Sequence, residues 1–187
     1  MRSKMLVMAA TAAFAFGLAR AQEGNAKSGD YKPDPALNAE VEAAVRDNVD
    51  AFNVPPGKTF DIDRVMKLYA EGDKYLMYDF MVPQEWTGHG LRQHFIDVIS
   101  QYPATIDVSD IRVHACDTVA FATSIQRAHG TGPNGKSYNI RFRVTDGLVK
   151  QNGKWLWVHQ HVSLPINWTT GQVVYDAKKD DARPRAP

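Results

Sequence analysis

Apolar residues recur at three- and four-residue spacing early in the chain and at two-residue spacing later. Leu37, Val41, Ala44, Val45, Val49 and Phe52 form one stripe, which predicts a helix starting after Asp34-Pro35. Pro55-Pro56-Gly57 stops it near Val54. Asp61 is the N-cap expected for a second helix over 62–70, with Val65, Leu68 and Tyr69 inward. Residues 74–80 read as a strand with Tyr75, Met77 and Asp79 on one face and Leu76, Tyr78 and Phe80 on the other. A loop over 82–87 leads to a third helix over 88–102, carried by Leu91, Phe95, Ile96, Val98 and Ile99 and ended by Pro103. Four strand-like runs follow, over 105–114, 118–129, 137–151 and 154–164. The last two flank Asn152-Gly153, a strong hairpin signal.

Helices in front and antiparallel strands behind make an α+β fold. The expected architecture is a curved antiparallel β-sheet wrapped around the N-terminal helices, cone-shaped with an internal pocket. That domain spans 36–166. Ahead of it, Arg2 and Lys4, the apolar run 5–18 and Ala19-Arg20-Ala21 read as a signal peptide over 1–21. Cleavage before Gln22 leaves a polar, disordered leader over 22–35 and an exported protein, periplasmic or secreted. The run is too short for a membrane span, so no membrane contact is expected after cleavage. Residues 167–187 become charged and proline-rich and read as a flexible tail.

Charge then removes one class of partner. The formal net charge is +1, and the signal peptide carries three positive charges and no negative ones, leaving −2 after cleavage. Charges are interspersed without a basic patch, so no nucleic acid is expected. Cys116 is the single cysteine, which excludes an internal disulfide.

The terminal hairpin holds the densest chemistry. Alternation puts Trp155, Trp157, His159, His161 and Ser163 on one face and Leu156, Val158, Gln160 and Val162 on the other. A two-residue turn pairs Gln151 with Lys154, which sets Asp146 opposite His159 and Val144 opposite His161. An Asp that fixes a His tautomer makes a positioned acid–base group, although such pairs are also common as structural links. The expected pocket wall is therefore Phe142, Asp146, Trp157, His159 and His161. His159 and His161 with Asp146 could also hold zinc, but no third histidine is in register, so no metal or cofactor is expected. Arg141 and Arg143 alternate onto the outer face with Leu156, Val158 and Val162, a surface suited to a homodimer.

Three stretches resemble SnoaL-like proteins of the nuclear transport factor 2-like superfamily. They are Phe60-Asp61-Ile62-Asp63-Arg64-Val65-Met66-Lys67-Leu68-Tyr69-Ala70, Gly88-His89-Gly90-Leu91-Arg92-Gln93-His94-Phe95, and the strand from Gly153 to Ser163. The last is also similar to the association domain of calcium/calmodulin-dependent protein kinase. The superfold hosts isomerases, hydrolases, cyclases and pure binding modules. Ketosteroid isomerases within it use a strand Asp as base, with an oxyanion hole of a Tyr and a protonated Asp. The resemblance implies Asp79 as the base and Asp146 as the second acid. Asn48 stands where the Tyr would be.

Two function classes follow. One is an isomerase-, dehydratase- or cyclase-type enzyme acting by general acid–base chemistry on a small hydrophobic carbonyl compound. Asp79, Asp146 and His159 would be catalytic there. Tyr75, Met77, Phe142, Trp157 and His161 would line the pocket, with Tyr75 and Met77 better suited to the core than to recognition. The other is a non-catalytic module for ligand binding or dimerisation.

Overall fold

The computed structural model describes residues 33–54, 58–81 and 85–176. The signal peptide expected over 1–21, most of the leader and the end of the tail lie outside the described residues.

Helix α1 (Pro35–Phe52) starts as its sequence dictates. Asp34 caps it, accepting from the backbone N–H of Ala36 at 2.8 Å, and Pro35 takes the first turn. Its stripe buries Val41, Val45 and Val49, with one polar residue, Asn48, among them. Asn38 and Asn53 fasten this helix to the sheet. The Ala115 N–H donates to Asn38 Oδ1 at 2.9 Å, and the Ile106 N–H to Asn53 Oδ1 at 2.5 Å. Helix α2 (Ile62–Met66) is capped by Asp61, which accepts from the Arg64 N–H at 2.9 Å.

That helix ends earlier than residue 70 because a strand captures its backbone. The Trp157 N–H donates to the Leu68 carbonyl, and the Ala70 N–H donates to the Trp157 carbonyl. A short turn, Gly72–Lys74, leads to β1 (Leu76–Tyr78). Part of the expected loop is instead β2 (Glu85–Thr87), and α3 (Gly88–Gln101) begins directly after it. Gly88 is needed at that junction. A Cβ there would sit 1.9 Å from the Gly72 carbonyl oxygen, closer than any side chain permits.

Strands β3 (Ala104–Cys116), β4 (Val119–Thr131), β5 (Ser137–Gln151) and β6 (Lys154–Ser163) complete one six-stranded sheet. Its order is β2-β1-β6-β5-β4-β3. All pairs are antiparallel except β1 with β6, which is parallel. The expected all-antiparallel sheet is thus mixed by one pair, while the curved α+β architecture stands. Val41, Val45, Val65, Leu91, Leu148 and Trp157 are buried between the helices and the inner sheet face.

The hairpin turn adopts the expected conformation, with positive φ at both Asn152 and Gly153. The register beyond it does not hold. Leu148 pairs with Trp157, but Gly147 pairs with His159, so Val158 is an extra residue in β6. Glycine fits this bulge: a Cβ on Gly147 would lie 3.3 Å from the His159 Cβ. Past the bulge every side chain changes face. Gln160 and Val162 join Trp155 and Trp157 inside, and His159 and His161 go outside. Asp146 therefore faces Gln160, not His159.

Residues 167–176 do not run free as a tail. Ile166 bridges Val173, the Val174 N–H donates to the Pro165 carbonyl, and the Arg141 N–H donates to the Tyr175 carbonyl at 2.7 Å. Local main-chain hydrogen bonds and the single link to β5 hold residues 167–176, whereas the charged, proline-rich part of the expected tail lies outside the described residues. Among the described residues, no helix is long and apolar enough to cross a membrane.

Candidate active site

Helices α1 and α3 lie over the concave sheet face and leave a cavity of about 510 Å³ between them. The helices contribute Asn48, Val49 and Phe52 from α1, and His94, Phe95, Val98 and Ile99 from α3. Met77, Asp79, Gln126, Phe142, Val144, Gln160 and Val162 form the floor. Phe80, Tyr102, Val173 and Tyr175 line the cavity while staying partly exposed, so they mark its mouth. An apolar chamber of this size with a few polar groups suits a small organic molecule.

Asp79 follows the last residue of β1 and is buried on the cavity wall. Its partner is His94, whose Nε2 lies 2.8 Å from Asp79 Oδ2. The Met81 N–H donates to the other carboxylate oxygen at 3.3 Å. A carboxylate in apolar surroundings requires such donors. Trp86 of β2 stacks on the His94 ring at 4.1 Å between centroids and 17° between planes, which fixes the imidazole plane. The Trp86 Nε1–H is buried and has no partner among the described residues.

Asp146 lies one layer deeper and does not line the cavity. Trp157 Nε1–H and Gln160 Nε2–H both donate to its Oδ1, each at 2.9 Å. Burial pushes the Asp146 carboxyl up to about 6, against the lowering effect of those two hydrogen bonds. Nearby, Asn48 Nδ2–H donates to the Tyr69 hydroxyl at 3.2 Å. Burial raises the Tyr69 and Tyr75 hydroxyls well above their usual range, so both stay protonated at neutral pH. The Tyr75 hydroxyl has no partner among the described residues.

Of the expected site residues, the structure brings Met77, Asp79 and Phe142 together on the cavity wall. Tyr75 and Trp157 are fully buried in the core beside the cavity. The expected Asp146–His159 pair is absent, because the bulge at Val158 turns His159 and His161 outward. Both rings instead flank Tyr78, with centroids 5.5 and 5.9 Å away. His159 Nδ1 contacts the Leu76 carbonyl at 3.1 Å. The same bulge excludes the zinc arrangement of Asp146 with those two histidines. It also moves Val162 from the expected outer apolar face into the cavity.

His94, Trp86, Gln126 and Gln160 are the site residues that sequence reasoning passed over. A signal existed for His94: it lies three residues after Leu91 and one before Phe95, inside the buried stripe of its helix. A titratable side chain on that stripe points at whatever the helix covers.

The sequence profile of the SnoaL-like domain matches residues 42–167. No curated protein matches the chain. Among solved structures, the chain is similar to an NTF2-like protein of unknown function from Pseudomonas putida KT2440, at 21% identity and a TM-score of 0.66, covering 79% of this chain and 99% of that one. It is also similar to a ketosteroid isomerase-like protein from Erwinia carotovora atroseptica, at 20% identity and a TM-score of 0.57, covering 70% and 97%. The association domain of C. elegans CaMKII aligns at 15% identity and a TM-score of 0.55, covering 68% and 95%. At these identities the likeness is one of fold.

Proposed function

The chain belongs to the SnoaL-like domain family, and from that premise we propose that it is an acid–base enzyme acting on a small hydrophobic carbonyl compound. One observation carries this reading: a buried Asp79–His94 hydrogen bond of 2.8 Å on the wall of an otherwise apolar cavity. A carboxylate so held can take a proton from a carbon next to a carbonyl and return it elsewhere, or assist loss of water. His94 orients the carboxylate through that hydrogen bond. Surrounding apolar side chains exclude water, which strengthens each polar contact with the reacting atoms. The catalytic pair of this reading is Asp79 with His94, in place of Asp146 with His159.

The test begins with a panel of lipophilic ketones screened by thermal shift, since a ligand of the folded state raises its stability. Ketones that bind are then followed by NMR in deuterated water. The expected result is deuterium uptake beside the carbonyl, or loss of water from a β-hydroxy ketone, above the uncatalysed rate. Binding without either reaction would contradict an enzyme and support a ligand-binding module.

A dimerisation role has its own support in the outer sheet face, where Val119 is 56% exposed, Phe121 47% and Tyr78 41%. Exposed apolar side chains on that face suit pairing with a second copy of the chain, and the enzyme reading accommodates it. Sedimentation at micromolar concentration should show a dimer that Phe121→Lys dissociates; a wild-type monomer would contradict it. Export with cleavage before Gln22 completes the reading. Intact mass of the extracytoplasmic protein would reveal it, and retained Met1 would contradict it.

A further inference from the structure

We infer that Gln160 anchors the far end of the ligand, and that the cavity selects molecules carrying a hydroxyl group about 8 Å from the reacting carbonyl. This rests on the cavity being the substrate site, as proposed above.

A glutamine amide offers two donors and one carbonyl acceptor, and either end can turn toward a neighbour. Here the partner decides. Asp146 Oδ1 accepts from both the Trp157 indole and the Gln160 amide. An oxygen accepting two hydrogen bonds cannot also carry the carboxyl proton, so any proton resides on Oδ2. The Gln160 NH2 group is thus turned toward Asp146 in either protonation state. Its carbonyl oxygen has no partner among the described residues, while the side chain lines the cavity. Gln160 therefore offers a ligand an acceptor and needs a donor from it. A ligand carbonyl would leave that acceptor unsatisfied, whereas a hydroxyl satisfies it.

The sheet register sets the spacing. Tyr78 pairs with His161, so Asp79 is level with Val162, one strand across and two residues beyond Gln160. One strand separation of about 4.8 Å and two residues of about 3.3 Å each give a diagonal of about 8 Å. That separates two polar groups on opposite sides of a fused two-ring molecule. Met77, Phe142 and Val162 supply the apolar surface around the anchor. Asp146 is then a positioning residue, acting through the amide it orients.

The test compares 2-tetralone with 6-hydroxy-2-tetralone by titration calorimetry against the folded protein. The hydroxy compound should bind wild type about tenfold more tightly, the effect of one satisfied hydrogen bond. Gln160→Met should erase that preference while 2-tetralone affinity stays within about twofold. Asp146→Leu should also reduce it, and Asp146→Asn, which keeps an acceptor oxygen for the amide, should restore it. The wild-type ratio stands as a test even if a variant fails to fold. Equal binding of both compounds to wild type, or a preference that survives in Gln160→Met, overturns the anchor and leaves the substrate-site reading intact. Binding of neither compound overturns that reading and the anchor with it.

Discussion

Asp79 and Asp146 are both buried carboxylates on the inner side of one sheet, yet their partners differ in kind. Asp79 meets an imidazole that can exchange a proton with it, and it stands on the cavity wall. Asp146 meets two neutral donors, an indole and an amide, and a glutamine separates it from the cavity. Burial alone does not make a carboxylate chemical. What matters is whether its partner can take or give a proton, and whether a substrate can reach it.

The largest expected effect breaks the first of these pairs. His94→Ala leaves the Asp79 carboxylate buried without its main donor, and removing one partner of a buried pair typically costs about 3 kcal/mol or more. Urea denaturation at neutral pH should show a loss of that order. An unchanged midpoint would mean that Asp79 does not depend on His94.

A comparable effect is expected from pH acting on the second carboxylate. The Asp146 value rises from 3.8 to about 6 on folding, so the unfolded chain loses its proton first as pH climbs. Between pH 4 and 6 the native state holds more protons than the unfolded state, and stability falls as pH rises. The full difference is about 3 kcal/mol, reached above pH 6 and absent below pH 4. Asp146→Asn should remove this component. Denaturation of both proteins at pH 4.5 and pH 7.5 would measure it, and parallel curves would contradict it.

A smaller effect sharpens the same comparison through the bulge that separates Asp146 from His159. Gly147→Ala places a Cβ 3.3 Å from the His159 Cβ. Overpacking of this kind should destabilise by about 1 kcal/mol, read by the same denaturation experiment. The smallest effect is expected at the outward histidine: His159→Ala should leave stability within about 0.5 kcal/mol and ketone binding unchanged. A loss of binding there would return His159 to the site.

The hairpin also explains what could be read from the chain beforehand. The stripe of α1, its Asp34-Pro35 start and the Asn152-Gly153 turn each have a local physical cause, so their pattern was legible. The bulge at Val158 was not. Both faces of β6 are largely apolar, and shifting such a strand by one residue leaves the hydrophobic pattern almost unchanged. Only the buried partner of Asp146 distinguishes the registers, and that is a tertiary fact. Asp79 was legible through resemblance, and it does line the cavity. His94 was hidden because its helix reads as amphipathic whether the stripe packs on a core or roofs a cavity. Residues 167–175 were hidden because main-chain pairing leaves no side-chain pattern.

The central claim is that Asp79, and not Asp146, handles the proton. Deuterium uptake beside the carbonyl of a bound ketone, followed by NMR at neutral pH in wild type, Asp79→Asn and Asp146→Asn, tests it most directly. Uptake should fall at least a hundredfold in Asp79→Asn, the usual contribution of a positioned base, and stay within a few-fold of wild type in Asp146→Asn. Wild-type rates in Asp79→Asn, with uptake lost in Asp146→Asn, would contradict the account.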